Sequence, residues 1–284
     1  MNSTTLPTSP AAPRDFALAA PTGASTWTNV WAIAGVVIKE LCRRKDFYVL
    51  FVLTALITLV MGSVNVFNQE NVFRYLKEIC LFLIWASSLV IAITTTARQI
   101  PAEQENRTLF PLLAKPVTRH QVVIGKFLGC WLASGAALAV FYLFFGLVAA
   151  AREHDWPIVN YLQAATLHWF ALGVLCAMTM LGSLVFAAPS SNSTIILVVS
   201  VSILLVGRHL NKVALKLSEP LQTVVQAVYF AVPHLELFDV RDLIVHDWGL
   251  VPWLIWAAAF AYAAVYSALF LALACLRFRR KAIH

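Results

Sequence analysis

The residues of this 284-residue chain that could carry chemistry fall into a few groups, and none has the spacing of a reaction centre. Gly125-Lys126 is the nearest approach to a phosphate-cradling loop. Such a loop needs a Gly five positions before the Gly-Lys pair and a Ser or Thr after it, for backbone amides and for magnesium. Here His120 and Phe127 occupy those places, so ATP hydrolysis by that route is not expected. Neither HExxH nor GxSxG occurs. The cysteines at 42, 80, 130, 176 and 275 form no CxxC pair, so zinc and redox motifs are not indicated and inert thiols are expected. Asp239 and Asp242 stand three positions apart and read as solvated surface.

The elements that must position these residues follow from composition. Hydrophobic residues make up 60% of the chain and charged residues only 12%, against about 45–50% and about 25% in soluble domains. A bilayer core of about 30 Å takes roughly 20 apolar residues of helix. Several stretches reach that length without Asp, Glu, Lys or Arg, which excludes a soluble enzyme, a disordered chain and an outer-membrane barrel with alternating strands. The fold expected is all-α and polytopic, with six spans cored by 47–67, 79–97, 127–150, 161–187, 194–207 and 251–275. The fifth is short unless Ser190–Ser193 lies at the interface, and a tight turn marked by Pro189 and the Ser-Ser-Asn-Ser run should precede it. Val224–Val232 is too short to cross and reads as a re-entrant or interfacial helix.

Charge sets the orientation. With both termini, the loop after span two and the turn after span four on one side, that side holds 14 Lys/Arg against 5 Asp/Glu, and the other holds 7 against 9. The positive-inside rule places the first side in the cytoplasm. The net charge of +7 is then a topology signal, and no nucleic-acid partner is expected because the basic residues form no single stripe. Trp156, Tyr161, Trp248, Trp253 and Trp256 are suited to the outer headgroup layer, and Arg277, Arg279, Arg280 and Lys281 to an inner stop.

Residues 1–26 are rich in Thr, Ser, Pro and Ala, with no long apolar core behind a basic start; a flexible segment is expected and not a cleaved signal peptide. In 27–46, Trp27, Val30, Trp31, Ala34, Val37, Ile38, Leu41 and Cys42 share one helical face, and Lys39, Glu40, Arg43 and Arg44 the other, with Ile33 and Val36 out of pattern. An amphipathic elbow helix along the cytoplasmic leaflet, leading into span one, fits this periodicity. After the six-helix domain at 47–275, a basic cytoplasmic end occupies 276–284.

The loop 98–126 carries the most specific pattern. Glu103 and Glu105 precede a short apolar run, as suits the positive end of a helix dipole. Leu109, Phe110, Leu112 and Leu113 then stand among Arg107, Lys115 and Arg119, and apolar surface in a charged loop points to a partner. Pro116 breaks the chain, and Thr118 with Gln121 forms a capping box that starts span three.

The series Glu-x-Glu-x-x-Thr-Leu, Leu-Leu-x-x-Pro-Val-Thr-Arg and Gly-Lys-x-x-Gly resembles the permease subunits of type-2 ABC transporters. Likeness is concentrated in 98–129, and the order of elements agrees along most of the chain. Arg107 stands where many members have Gly before the Thr. The run from Phe110 to Pro116 is similar to the subgroup linked with multicopper-enzyme maturation. The resemblance implies a cytoplasmic coupling helix between spans two and three, docking on a separate ATPase subunit through Glu103, Glu105, Arg107, Thr108, Leu109, Phe110, Leu112, Leu113, Lys115, Pro116 and Arg119. It implies two cytosolic ATPase subunits that bind the ATP and magnesium, a second permease copy, identical or related, and no cofactor in this chain. The expected activity is export by an ATP-driven transporter; an ion-coupled carrier, a membrane-embedded enzyme and a scaffold for metalloenzyme maturation are the alternatives.

Within the spans, His168 is the one group ionisable near neutral pH, and carriers driven by ions usually hold more. A hydrogen-bonded packing or pathway-lining role is expected of it, in preference to a proton relay or metal ligand. Gly125, Gly129, Ala133 and Ala137 recur every four residues and permit close approach of another helix, from the same or a second subunit. The outer segment 208–250 reads either as a plain external loop or, by the resemblance, as a lid over the exit.

Overall fold

The computed structural model describes residues 26–43, 70–105, 118–153, 157–186, 188–214, 218–246 and 248–280, together with positions 48, 52, 55, 56 and 59. In chain order the elements are α1 (Thr26–Cys42), α2 (Glu70–Arg98), α3 (Pro101–Glu105), α4 (Arg119–Glu153), α5 (Ile158–Val185), α6 (Pro189–Ala214), α7 (Leu221–Ala231), the 3-10 turn η1 (Leu235–Phe238), α8 (Arg241–Val245) and α9 (Trp253–Arg280). No strand occurs among the described residues, in keeping with the all-α expectation.

Among the described residues four helices are long and apolar enough to cross a membrane, Arg74–Glu103, Arg119–Ala151, Ile158–Val185 and Trp253–Arg280, with Pro189–Leu205 as a shorter apolar helix. They hold the cores expected for spans two, three, four and six; most of 47–67 lies outside the described residues. α2 and α4 overrun their expected cores at both ends, whereas α5 stops two residues short of 187 and α9 starts two residues after 251. α4 starts eight residues before Phe127 because Thr118 and Gln121 open it there: Thr118 N–H donates to Gln121 Oε1 at 2.9 Å, one arm of the capping box.

α5 is the hub, packed by α2, α4, α6, η1, α8 and α9. Its sequence explains the position, since a helix apolar on every side has no face to give to water and becomes central. In α5 78% of the apolar window is buried, against 11% in α9, which leaves α9 on the periphery. α6 begins at Pro189, as suits a proline whose missing N–H costs nothing at a first helical position. The Ser-Ser-Asn-Ser run is therefore the opening of the helix, and the expected turn contracts to the residues before it. Asn192 points inward there, fully buried, its Nδ2 donating to Thr179 O at 3.1 Å, and Gly182 of α5 leaves the space for its side chain.

Candidate functional site

One end of the bundle collects the C-terminus of α2, the short α3, the N-terminus of α4 and the C-terminus of α9. Lys126, about two turns into α4, is only 1% exposed. Its Nζ donates to the carbonyl of Gln99, just past α2, and pairs with Glu103 Oε2 of α3 at 2.6 Å. Glu103 itself is 31% exposed, so the pair runs from the protein interior to the rim. An ammonium is tolerated at such depth only when it is paired and hydrogen-bonded, and both conditions are met. The exposed carboxylate of Glu40 on α1 adds a longer-range attraction.

Arg119 ties the same end to the last helix. Its Nη1 donates to the carbonyls of Phe278 at 2.9 Å and Arg279 at 3.3 Å, and its guanidinium lies 5.6 Å from the centre of the Phe278 ring. These carbonyls belong to the final turn of α9, where no helical N–H remains to satisfy them and the dipole is negative. The guanidinium expected to face an acidic partner is thus turned onto this chain's own helix end.

The small-residue stripe on α4 receives α1. A Cβ at Gly125 would lie 2.9 Å from Ile33 Cβ and 3.0 Å from the carbonyl oxygen of Val30; at Gly129 it would lie 2.7 Å from Val37 Cβ and 3.0 Å from that of Ala34. The contacts advance by four residues on both helices, so α1 runs parallel to the first turns of α4. The close approach is within one chain. Val30, Ala34, Val37 and Leu41 are buried in this seam, whereas Trp27 and Trp31 are 65% and 55% exposed. The expected single apolar face therefore divides. Its Val, Ala and Leu members pack on α4, the tryptophans face outward, and Ile33, out of pattern by periodicity, is a packing residue. Ala133 and Ala137 are buried further along the stripe.

α4 and α5 are joined by a reciprocal clasp that the sequence reading did not find. Trp131 Nε1 donates to Trp169 O at 2.9 Å and Trp169 Nε1 to Trp131 O at 3.1 Å, with ring centres 4.5 Å apart. Gly135 sits against the Trp169 indole and Gly173 against that of Trp131. The signal was a Trp-x-x-x-Gly repeat on successive helices, each glycine giving room to the other helix's ring.

His168 lies ten residues into α5 and is 2% exposed. Its Nε2 is 2.9 Å from Ser88 Oγ of α2, its ring stacks on Trp85 and meets Tyr142 edge-on, and its Nδ1 has no hydrogen-bond partner. The imidazole is thus enclosed between α2, α4 and α5 and bonded to Ser88.

At the opposite end, η1 and α8 lie on the bundle through buried Leu235, Phe238, Ile244 and Val245. Arg241 forks onto Asp239 with contacts of 2.8 and 2.9 Å, and its guanidinium lies 5.5 Å over Phe82 and 5.6 Å over Trp85. Asp239, read as solvated surface, is instead the half-buried partner of an arginine held against two aromatic rings, while Asp242 is exposed. His234 N–H donates to Tyr262 Oη of α9 at 2.9 Å, and Gln163 of α5 exchanges two 3.0 Å hydrogen bonds with the backbone of Val251. η1 and α8 are thus seated on the bundle. α7 packs on α6.

Of the residues assigned to partner docking, Glu103, Glu105 and Arg119 are described: Glu103 is tied inward, Glu105 is exposed and Arg119 caps α9. Arg107, Thr108, Leu109, Phe110, Leu112, Leu113, Lys115 and Pro116 lie outside the described residues. Among the described residues no cluster of three or more His, Cys, Asp or Glu could hold a metal ion. Compared with known families, residues 24–283 match the family model described as ABC-2 family transporter protein. No curated protein matches the chain.

Proposed function

Because the chain belongs to the ABC-2 family of transporter proteins, we propose that it is the membrane permease of an ATP-driven exporter whose ATPase is a separate cytosolic subunit. The observation that carries this reading is the junction below α4. A short charged segment joins two spans, and both its ends are fastened: Glu103 to Lys126 at one side, Arg119 to the end of α9 at the other. A segment held at both ends transmits displacement instead of absorbing it.

In this reading the apolar run at Leu109, Phe110, Leu112 and Leu113 fills a groove on the ATPase, with Arg107 and Lys115 at its acidic rim. Two ATPase subunits close on ATP, each grips one permease copy, and the pull passes through α2 and α4. Both termini and the junction lie in the cytoplasm, following the excess of basic residues on that side. The cap formed by η1 and α8 covers the exit and releases cargo when Arg241 leaves Phe82 and Trp85. Cofactor chemistry, ATP and magnesium included, belongs to the partner.

The test is a pull-down of the tagged chain from its native membrane. The wild type brings down an ATP-hydrolysing subunit, and Leu112→Glu or Phe110→Asp abolishes its recovery while membrane insertion stays intact. An insertion-competent wild type that recovers no ATPase, or variants that recover it in full, would overturn the assignment.

A further inference from the structure

Lys126, one end of the Glu103 fastening, stands at a wider convergence of the chain. Four pieces of chain meet around its ammonium or on the residues beside it. α2 ends in the Gln99 carbonyl that accepts its hydrogen bond, and α3 supplies Glu103 at 2.6 Å. The backbone of α4 carries it, and α1 closes on the preceding residue through Val30 and Ile33. A lysine has three donors on a long flexible stem, and here two of them join the segments on either side of residue 100. The stem is fixed as well, since the side chain is 99% removed from solvent.

We propose that Lys126 is a positioning residue of the transport cycle: it makes the α2–α3 corner and α4 move as one piece when the segment after Glu105 is displaced. The inference rests on the permease reading. Its chemistry is that of a directional tether. Glu103 is the first acidic residue after the corner and carries any pull on the segment, and the ion pair passes that pull to α4 about two turns inside the helix. Without the tether, the corner at Gln99-Ile100 pivots freely and the pull is lost before it reaches the spans.

The experiment uses the complete complex, purified through the permease, with ATP and vanadate as the probes. Removing one partner of a buried ion pair strands the other, whereas removing both is far better tolerated. The variants are therefore the double change Lys126→Met with Glu103→Met, and the single change Glu103→Gln at the rim, where water reaches the amide. Hydrogen–deuterium exchange of 235–245 in the distant cap is compared between nucleotide-free and vanadate-trapped complexes. The wild type is expected to change its exchange rate there at least tenfold. In the double variant the change falls below twofold, and in Glu103→Gln it falls at least threefold. Each response is normalised to the complex recovered, because Glu103 also belongs to the residues assigned to ATPase docking. A purely structural lysine would instead lower recovery and stability together and leave the response of the surviving complex intact.

Variants that respond like the wild type would refute the tether while leaving the permease reading standing. If the double variant fails to assemble, Glu103→Gln alone decides. A wild type that recovers no ATPase defeats the permease reading and the tether with it, and a wild-type complex that hydrolyses ATP without any response at 235–245 defeats transmission to the cap.

Discussion

Replacing Gly129 by Ala tests the α1–α4 seam with the smallest change a side chain allows. Alanine in a helix interior is favoured over glycine by about 1 kcal/mol, so a site with free space gains from the exchange. Gly35, which has nothing within 4 Å of an added Cβ, is such a site. At Gly129 the new methyl would stand 2.7 Å from Val37 Cβ and 3.0 Å from the Ala34 carbonyl oxygen. Neither atom is the free end of a flexible side chain: one roots a β-branched residue and the other is backbone. α1 has to retreat as a body, loosening Val30, Ala34, Val37 and Leu41 at once. Overpacking of this kind costs about 1–3 kcal/mol, so after the propensity gain of about 1 kcal/mol Gly129→Ala is left up to about 2 kcal/mol less stable. For a chain of this size that is a fall in Tm of a few degrees. The assay is thermal denaturation in detergent beside limited trypsin cleavage at Lys39 and Arg43, which should accelerate as α1 lifts. Gly35→Ala should match or exceed the wild type in both. If Gly129→Ala melts and cleaves as Gly35→Ala does, the seam is not as described.

Three further outcomes follow from contacts described above. Trp169→Phe keeps an aromatic ring but removes one donor of the clasp, and should cost about 0.5–1.5 kcal/mol, read as a lowered Tm; Gly135→Ala, whose methyl would strike the Trp169 indole, should cost more. Arg119→Ala exposes the last carbonyls of α9 and should speed amide exchange in 274–280, with about 1 kcal/mol lost overall. Asp239→Asn weakens the charged fork on Arg241 but leaves the guanidinium over Phe82 and Trp85, so exchange in 235–245 should rise roughly tenfold, about 1.4 kcal/mol, without loss of the transmembrane fold.

The parts of this fold that depend on one helix at a time were legible in the sequence. The uncharged stretches located α2, α4, α5 and α9, and Thr118 with Gln121 marked the start of α4. The parts that depend on pairs of distant residues were not. Four-residue spacing showed that something would lie close to Gly125 and Gly129, but not that it would be α1, because a helical wheel says which residues share a face and not what that face meets. Asp239 reads as surface when only its polar neighbours are considered, since the rings that hold its partner Arg241 lie in α2. Lys126 was informative only as a failed phosphate loop; its burial makes sense once Glu103, 23 positions earlier, is placed beside it. Ser190–Ser193 was misjudged for a different reason: a serine run after a proline suits a turn and a first helical turn equally well, and Asn192 finding space at Gly182 decided between them.

The two indoles on α4 and α5 also restrict what kinds of motion are open to the protein. Each ring is hydrogen-bonded to the backbone at the root of the other and nested against a glycine one turn along. An axial slip of even one turn would break both bonds and drive each ring into a bulkier neighbour. The pair is held against acting as pistons, so a rearrangement of the bundle has to carry α4 and α5 as one unit.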